Sequence, residues 1–136
     1  MQENFDRMNL SVKTRCTDAL EPNLEHGSFD LILADVPCTN TGVMRRRPDA
    51  AWRFSVNRLN ETVKLQKKIM DSLADLVKDG GILLYSTCSV EPEEDSMQVD
   101  AFLKRHPEFT LEDSKLLLPD FLHDGAFAAR LRKNGK

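Results

Sequence analysis

Two cysteines stand directly after stretches that read as core strands. Cys38 ends the sequence DVPC, which begins within the apolar run 29–36, and Cys88 lies in STCS, which begins at the last residue of the run 82–86. A thiolate is a strong nucleophile, and two thiols can also cycle between dithiol and disulfide. The simplest alternative is that both are small buried hydrophobes, as free cysteine usually is. If the two strands are neighbours, both thiols lie over one crevice, which favours a chemical role.

Composition narrows the kinds of protein that this chain can be. Its 136 residues fit one domain, 1–136. Its three cysteines form no CxxC pair and no Cys/His zinc pattern, so we expect free thiols in a reducing cytoplasm and no metal site. The positions of its six glycines exclude GxGxxG and GxxxxGK[ST], the usual phosphate-binding loops. No apolar stretch approaches the roughly 18 residues of a membrane span, and the polar start is unlike a secretory signal.

The elements that position the cysteines follow from hydrophobic periodicity. Residues at three- and four-residue intervals form an amphipathic stripe that predicts a helix from about Val56 or Leu59 to Lys78, ended by Asp79-Gly80-Gly81. The stripe consists of Leu59, Val63, Gln66, Met70, Leu73 and Val77. The remaining predicted elements are a helix tail at 2–9, strands at 11–16, 29–36 (buried on both faces) and 82–86, a helix from Pro92 to about Arg105, and closing strands at 109–111 and 126–132. Such alternation indicates an α/β sheet, whose ligands bind beyond the carboxyl ends of the strands.

Charge is distributed unevenly along the chain. The net charge is −3, yet 44–68 holds eight Lys or Arg against two acidic residues. Arg45, Arg46, Arg47 and Arg53, with Trp52 among them, would suit an RNA track in which guanidinium groups bind phosphates and an aromatic ring stacks on a base. A solvated surface is the alternative, and the position of the arginines beside the Cys38 loop favours RNA. We expect Lys64, Lys67 and Lys68 on the wet face of their helix.

The two cysteine-bearing stretches resemble a known family. DVPCTNTGVMRRRPDAAWRF and LLYSTCSVEPEEDSMQV are similar to the signature blocks of the Sun (Fmu) family, ribosomal RNA methyltransferases that form 5-methylcytosine with S-adenosylmethionine. FDLILADVPC, the basic segment and the final HDGAFAARLRK extend the resemblance over nearly the whole chain. The pairing of both cysteine motifs is specific, whereas either tetrapeptide alone is not. Asn40 stands where glycine is frequent in the family, a departure expected to leave the chemistry untouched.

The resemblance implies a role for each candidate residue. Cys88 would attack carbon 6 of cytosine, which makes carbon 5 able to take a methyl group, and Cys38 would assist release of the product. Asp35 would hydrogen-bond the N3/N4 edge of the base and lie near the methyl donor, although a strand-end turn residue is the alternative. Asp18 would contact the adenine amino group of the cofactor, or act only as a turn or cap residue. Cys16 is expected to pack in the core.

The family's catalytic domain is expected to begin with two further strands that this chain lacks. The first carries the glycine-rich cofactor loop, and the second carries an acidic residue for the ribose. With the family strand order 3-2-1-4-5-7-6, this absence predicts a partial Rossmann-like fold, mostly parallel with an antiparallel closing strand, and a central strand with a bare edge. Because a long apolar edge promotes association, we expect either self-association or a relocated first strand at that edge.

Three functions compete at this point. The first is an RNA 5-methylcytosine methyltransferase, acting on ribosomal rather than transfer RNA, whose cofactor site is half built. The second is an inactive remnant that binds RNA through the arginines or serves as a partner subunit. The third is a dithiol redox protein using Cys38 and Cys88, which the lack of CxxC and the match of both motifs argue against.

Overall fold

The structure, a computed structural model, describes residues 2–135. Strands and helices alternate through the middle of the chain, and a β-hairpin closes it. The elements are α1 (Gln2–Arg7), β1 (Phe29–Asp35), α2 (Asp49–Arg53), α3 (Val56–Ala74), β2 (Val77–Thr87), α4 (Ser96–Arg105), β3 (Phe109–Leu117) and β4 (Ala126–Lys133). Among these residues, no helix is both long and apolar enough to cross a lipid bilayer.

The four strands form one sheet in the order β1-β2-β4-β3. β1 and β2 are parallel, and β4 runs antiparallel to β2 and to β3, so three strands share one direction. This arrangement confirms the predicted α/β fold and reproduces the 4-5-7-6 part of the expected strand order. Asp35 at the end of β1 is level with Ser86 near the end of β2. The loops that carry the two cysteines therefore leave the sheet side by side.

The core lies between the sheet and the helices α3 and α4. Leu83 and Tyr85 of β2, Met70 of α3, Phe102 of α4 and Leu131 of β4 are all fully buried there. Alternate residues of β2 face this layer, as the period of two in a strand requires. In α3 the predicted stripe is confirmed as far as Leu73, and its three lysines are exposed as expected.

β1 is covered on one face only, and the prediction that it is buried on both faces was wrong. Ala34 is buried against the helices, whereas Leu31 and Leu33 on the other face are 56% and 59% exposed. The predicted strand at 11–16 was also wrong: these residues form no strand and are exposed. Cys16 is consequently exposed rather than packed in the core. Within the described residues no strand is relocated to the free edge of β1.

The junction of α3 and β2 differs from the prediction as well. The helix ends at Ala74 and β2 begins at Val77, so the stretch predicted to stop the helix at 79–81 lies inside the strand. Lys133 Nζ donates to the carbonyl oxygens of Ala74 and Val77 at 3.0 and 2.9 Å, which satisfies a carbonyl at the helix end. Gly80 has a left-handed backbone (φ 78°) and lies opposite a register irregularity, which allows β2 to continue past it.

The helix predicted from Pro92 begins four residues later. Residues 92–95 form turns, and α4 starts at Ser96. Three acidic residues follow Pro92, and their spacing predicts a first helical turn in which they complement the helix dipole; in the structure they divide into two groups. Glu93 is exposed, whereas Glu94 and Asp95 are turned inward and buried. Their buried carboxylates become part of the structure beneath the cysteines.

Candidate active site

The two strand-end thiols meet. Cys38 Sγ lies 3.0 Å from Cys88 Sγ, within the distance at which one thiol can donate a hydrogen bond to the other. Cys38 is 9% exposed and Cys88 is half-buried, so Cys88 is the more accessible of the pair. Cys16 is exposed and belongs to a segment outside both loops. The predicted juxtaposition of Cys38 and Cys88 over one crevice is confirmed.

A glycine holds the two cysteine loops together. The backbone N–H of Gly42 donates to the carbonyl oxygen of Cys88 at 3.1 Å, and its carbonyl accepts from the N–H of Gly125 at 2.7 Å. A Cβ at Gly42 would lie 2.4 Å from the Gly125 oxygen, closer than real Cβ contacts. Only glycine therefore permits this approach of three chain segments: the loop after β1, the loop after β2 and the β3–β4 connection.

Asn40, which stands where glycine is frequent in the family, contacts both thiols. Its Oδ1 accepts from Cys88 Sγ at 2.9 Å and lies 4.0 Å from Cys38 Sγ. Its backbone is left-handed (φ 63°), which explains why glycine suits this position and why asparagine is tolerated there. The family's preference for glycine at this position could have predicted the left-handed backbone. It could not have predicted that the amide of Asn40 contacts the thiols.

Burial controls the protonation of Cys38. Burial, and after it the hydrogen bond with Cys88, together raise the pKa of the Cys38 thiol from 9.0 to about 12. Cys38 therefore keeps its proton at neutral pH and is a hydrogen-bond donor in the resting protein. A protonated thiol next to a more accessible sulfur can stabilise negative charge on that sulfur.

Glu94 supports the Cys38 loop from below. This fully buried carboxylate accepts hydrogen bonds from the backbone N–H of Thr39 at 3.0 Å, from the Thr39 hydroxyl at 2.5 Å and from Gln66 Nε2 at 3.0 Å. Gln66 Nε2 also donates to the carbonyl oxygen of Pro37 at 2.9 Å. Sequence reasoning placed Gln66 on the apolar stripe of its helix and Glu94 in a helix start. Nothing in their spacing indicated that they meet.

A second buried carboxylate supports the Cys88 turn. The Thr87 hydroxyl donates to Asp95 Oδ1 at 2.7 Å and accepts from the backbone N–H of Ser89 at 3.2 Å. Thr87 and Ser89 flank Cys88 and are both fully buried. Their burial and hydrogen bonds hold the turn that carries the Cys88 thiol in place. Hydrogen bonds to the buried side chains of Glu94 and Asp95 therefore hold the loops of both cysteines in place.

Asp35 and Asp18 lie by the side of the sheet that would receive a cofactor. Asp35 is exposed at the end of β1, and its carboxylate has no hydrogen-bond or ion-pair partner within residues 2–135. It lines an apolar hollow of about 320 Å³ together with Ala19, Leu33 and Leu73. Asp18 precedes Ala19, whose carbonyl is tied to α3 by the Ser72 hydroxyl at 2.5 Å.

These residues fit one end of S-adenosylmethionine. An apolar wall suits an adenine ring, and a free carboxylate can accept a hydrogen bond from an amine. In the structure Asp18 Oδ1 accepts from the backbone N–H of Leu20 at 2.9 Å, so its turn-forming role is observed. The other carboxylate oxygen of Asp18 has no hydrogen bond of its own among the described residues. The fit extends no further than the adenine end.

The four candidate RNA-binding arginines are exposed and paired within the chain. Asp124 lies 3.6 Å from Arg45 and 2.9 Å from Arg46, and Asp49 lies 4.0 Å from Arg47 and 3.6 Å from Arg53. The side chains of the four arginines are 46–68% exposed, and Trp52 is 91% exposed. Exposed ion pairs contribute little energy, so a phosphate can compete with either aspartate.

The chain is similar in sequence to a family of known proteins. The family model described as 16S rRNA methyltransferase RsmB/F matches residues 1–131. Ribosomal RNA small subunit methyltransferase B of Yersinia pseudotuberculosis is 40% identical over 116 residues, which are 84% of this chain and 27% of that protein. The chain thus spans about a quarter of the length of the curated relatives it matches.

Solved structures share the fold closely. The crystal structure of PH0851 is 34% identical, with a TM-score of 0.92 over 97% of this chain and 33% of that one. NSun6 from Pyrococcus horikoshii, crystallised with SFG, is 28% identical, with a TM-score of 0.88 over 100% of this chain and 38% of that one. Both structures extend well beyond the part that this chain matches.

Proposed function

Since the chain belongs to the 16S rRNA methyltransferase RsmB/F family, we propose that it carries the thiol centre of an RNA cytosine-5 methyltransferase. The observation that carries the proposal is the 3.0 Å separation of Cys38 Sγ and Cys88 Sγ at the carboxyl ends of β1 and β2. Two thiols that serve only as packing need not meet beyond the carboxyl ends of two parallel strands, where ligands of α/β sheets bind. The substrate is RNA, and ribosomal RNA is favoured by the names of the relatives.

Cys88 is the nucleophile in this proposal because it is the more accessible thiol. Its deprotonated sulfur adds to carbon 6 of the target cytosine, and the electrons of the carbon 5–carbon 6 double bond move to carbon 5. S-adenosylmethionine, when bound, supplies the electrophilic methyl group that carbon 5 takes. Loss of the carbon-5 proton and cleavage of the carbon–sulfur bond then restore the double bond.

Cys38 assists the release step. Its thiol is protonated at neutral pH and lies within hydrogen-bond distance of the Cys88 sulfur. As Cys88 leaves carbon 6, Cys38 gives it a proton, and the Cys38 sulfur takes the proton that carbon 5 loses. Both thiols end protonated, and the next turnover begins when Cys88 releases its proton to solvent.

The remaining candidates bind and orient the substrates. Asp35, with its unpaired carboxylate at the end of β1, hydrogen-bonds the N3/N4 edge of the cytosine. Asp18 accepts from the adenine amino group at the margin of the apolar hollow. Arg45, Arg46, Arg47 and Arg53 bind backbone phosphates, and the target base must leave any stack to reach the thiols.

Covalent trapping tests the proposal. RNA that carries 5-fluorocytosine is incubated with the chain and saturating S-adenosylmethionine, because fluorine at carbon 5 blocks the release step. We expect an adduct that resists denaturing electrophoresis and is lost in Cys88→Ala. The adduct should be kept in Cys16→Ala, the control, because this variant removes an exposed thiol outside the proposed site. An adduct that survives in Cys88→Ala would refute the assignment of the nucleophile.

A second candidate function is RNA or partner binding without turnover. It is favoured by the uncovered face of β1, where Leu31 and Leu33 are more than half exposed beside the hollow assigned to the cofactor. A cofactor held on one wall only is bound weakly. RNA retention on a filter, combined with no heat of S-adenosylmethionine binding by calorimetry, would favour this candidate over catalysis.

A further inference from the structure

The geometry points to Asn40 as a positioning residue that holds the Cys88 thiol through its side-chain amide oxygen. The inference rests on the proposed role of Cys88 as the nucleophile. Asn40 is two residues beyond Cys38, and its amide reaches across to the loop after β2. It therefore joins the two thiol-bearing loops by a side chain, in addition to the backbone junction at Gly42.

The orientation of the amide is fixed by a backbone carbonyl. Asn40 Nδ2 donates to the carbonyl oxygen of Cys38 at 3.1 Å. Because a carbonyl oxygen can only accept, the nitrogen of the amide must face it and the oxygen must face the thiols. Asn40 Oδ1 is thus an acceptor aimed at Cys88 Sγ, 2.9 Å away, with Cys38 Sγ at 4.0 Å.

An acceptor at this place favours the protonated form of the thiol that it faces. It directs the S–H bond of Cys88 toward itself, and it would repel the negative charge of a thiolate. Attack on carbon 6 removes that charge, because the sulfur becomes a neutral thioether. Asn40 therefore keeps the resting Cys88 thiol oriented before the target cytosine enters the site. The Cys38 thiol and the buried Tyr85 phenol, both near the pair, are protonated at neutral pH. The buried carboxyl groups of Glu94 and Asp95 also lie beneath the two loops, and they are unchanged in every variant used below.

Alkylation of Cys88 measures this effect without RNA or methyl donor. The full chain is treated with iodoacetamide over a range of pH, and modification of each cysteine is followed by mass spectrometry of its peptide. Asn40→Gly removes the acceptor and keeps a residue that tolerates the left-handed backbone. We expect the pH of half-maximal alkylation of Cys88 to fall by about 0.5–1 unit, as a lost neutral hydrogen bond implies.

Asn40→Asp provides the opposite perturbation. It keeps the shape of the side chain and places a carboxylate beside Cys88, so the half-maximal pH should rise rather than fall. Cys16 is an internal control, because its alkylation should be the same in every variant. Asn23→Gly controls for the backbone, since Asn23 also has a positive φ (49°) but donates only to the carbonyl of Glu21.

Opposite shifts in the two variants support the inference, because a loosened loop would move both in one direction. Unchanged Cys88 profiles, or shifts of the same sign, would overturn it. If Asn40→Gly fails to fold, Asn40→Asp decides by the sign of its shift. Failure of the trapping experiment leaves these profiles unaffected, so the role of Asn40 and the proposed function can fail separately.

Discussion

The free energy of unfolding should fall as the pH rises from acidic to mildly alkaline values, and Asp95→Asn should remove most of that fall. Asp95 is 2% exposed, and its Oδ1 accepts from the Thr87 hydroxyl at 2.7 Å. Its Oδ2 is buried without a hydrogen-bond partner among the described residues. A buried carboxylate with one unsatisfied oxygen is costly to ionise, so its proton is held in the folded state.

The size of the effect follows from the pKa of Asp95. The pKa rises from 3.8 to about 7, mainly because of burial and also because of the nearby charges of Glu94 and Glu91, while the Thr87 hydrogen bond lowers it. Because the folded pKa exceeds the unfolded one, the stabilisation is fully present below pH 3.8 and is lost as the pH rises through about 7. Each pKa unit corresponds to about 1.4 kcal/mol, so between about pH 5 and 8 the loss is about 2–3 kcal/mol.

Urea unfolding followed by circular dichroism at several pH values measures this loss. Asn keeps an oxygen for Thr87 and cannot ionise, so the curve of Asp95→Asn should be flatter than that of the wild type by about 2–3 kcal/mol over this range. Other titrating groups, such as Asp71 and Glu108 with their lowered pKa values, are present in both proteins and cancel. Asp100→Asn, an exposed change on α4, is the matched control. Parallel curves for wild type and Asp95→Asn would refute the reasoning.

Three further predictions, tested with four variants, concern other parts of the molecule. Gly42→Ala puts a Cβ 2.4 Å from the Gly125 oxygen and should cost about 1–3 kcal/mol in urea unfolding; an unchanged midpoint would contradict the close approach. If the open face of β1 drives self-association, light scattering should give a mass that rises with concentration for the wild type and stays at one chain for Leu33→Lys. A wild-type mass of one chain at every concentration would exclude this. Asp124→Asn should strengthen RNA retention on filters by freeing arginines, whereas Arg46→Ala should weaken it and lower the salt slope by about 1; the reverse order would contradict an RNA role.

Each of these three predictions has a matched control elsewhere in the chain. Gly135→Ala adds a Cβ into open space and should leave the unfolding midpoint unchanged. Leu118 lies outside β1 and is 67% exposed, compared with 59% for Leu33, so Leu118→Lys should leave any association intact. Arg7→Ala removes one positive charge from α1, away from the basic segment, and should change RNA retention less than Arg46→Ala does.

Hydrophobic patterning predicted the strands that have neighbours in this chain. The apolar run that ends in DVPC became β1 and the run that ends in STCS became β2, and their parallel pairing brought Cys38 and Cys88 together. The stretch 11–16 has the same β-prone composition and forms no strand, because strand formation depends on a hydrogen-bonded partner as well as on propensity. Propensity alone could not distinguish the two cases.

The supports of the cysteines were not predictable from local sequence. Glu94 and Gln66 read as a helix start and a stripe position, and their pairing joins residues 28 positions apart. Likewise, Val77 continued a helical spacing from α3, but pairing with Phe29 of β1 places it in a strand. In each case a long-range contact overrode the local pattern, as tertiary contacts routinely do.

The thiol pair and the apolar hollow beside Asp35, where we propose that the cofactor binds, are built from different contacts. Cys38 and Cys88 are fixed by Gly42, Asn40 and the buried carboxylates, which lie within the core or in the loops that close it. Asp35, by contrast, is on the exposed face of β1 and has no partner within the described chain. Variants of this face should therefore alter methyl-donor binding while leaving Cys88 alkylation intact. Loss of methyl transfer with an unchanged Cys88 alkylation profile would then be assigned to the apolar hollow, and loss of methyl transfer with an altered profile to the thiol pair.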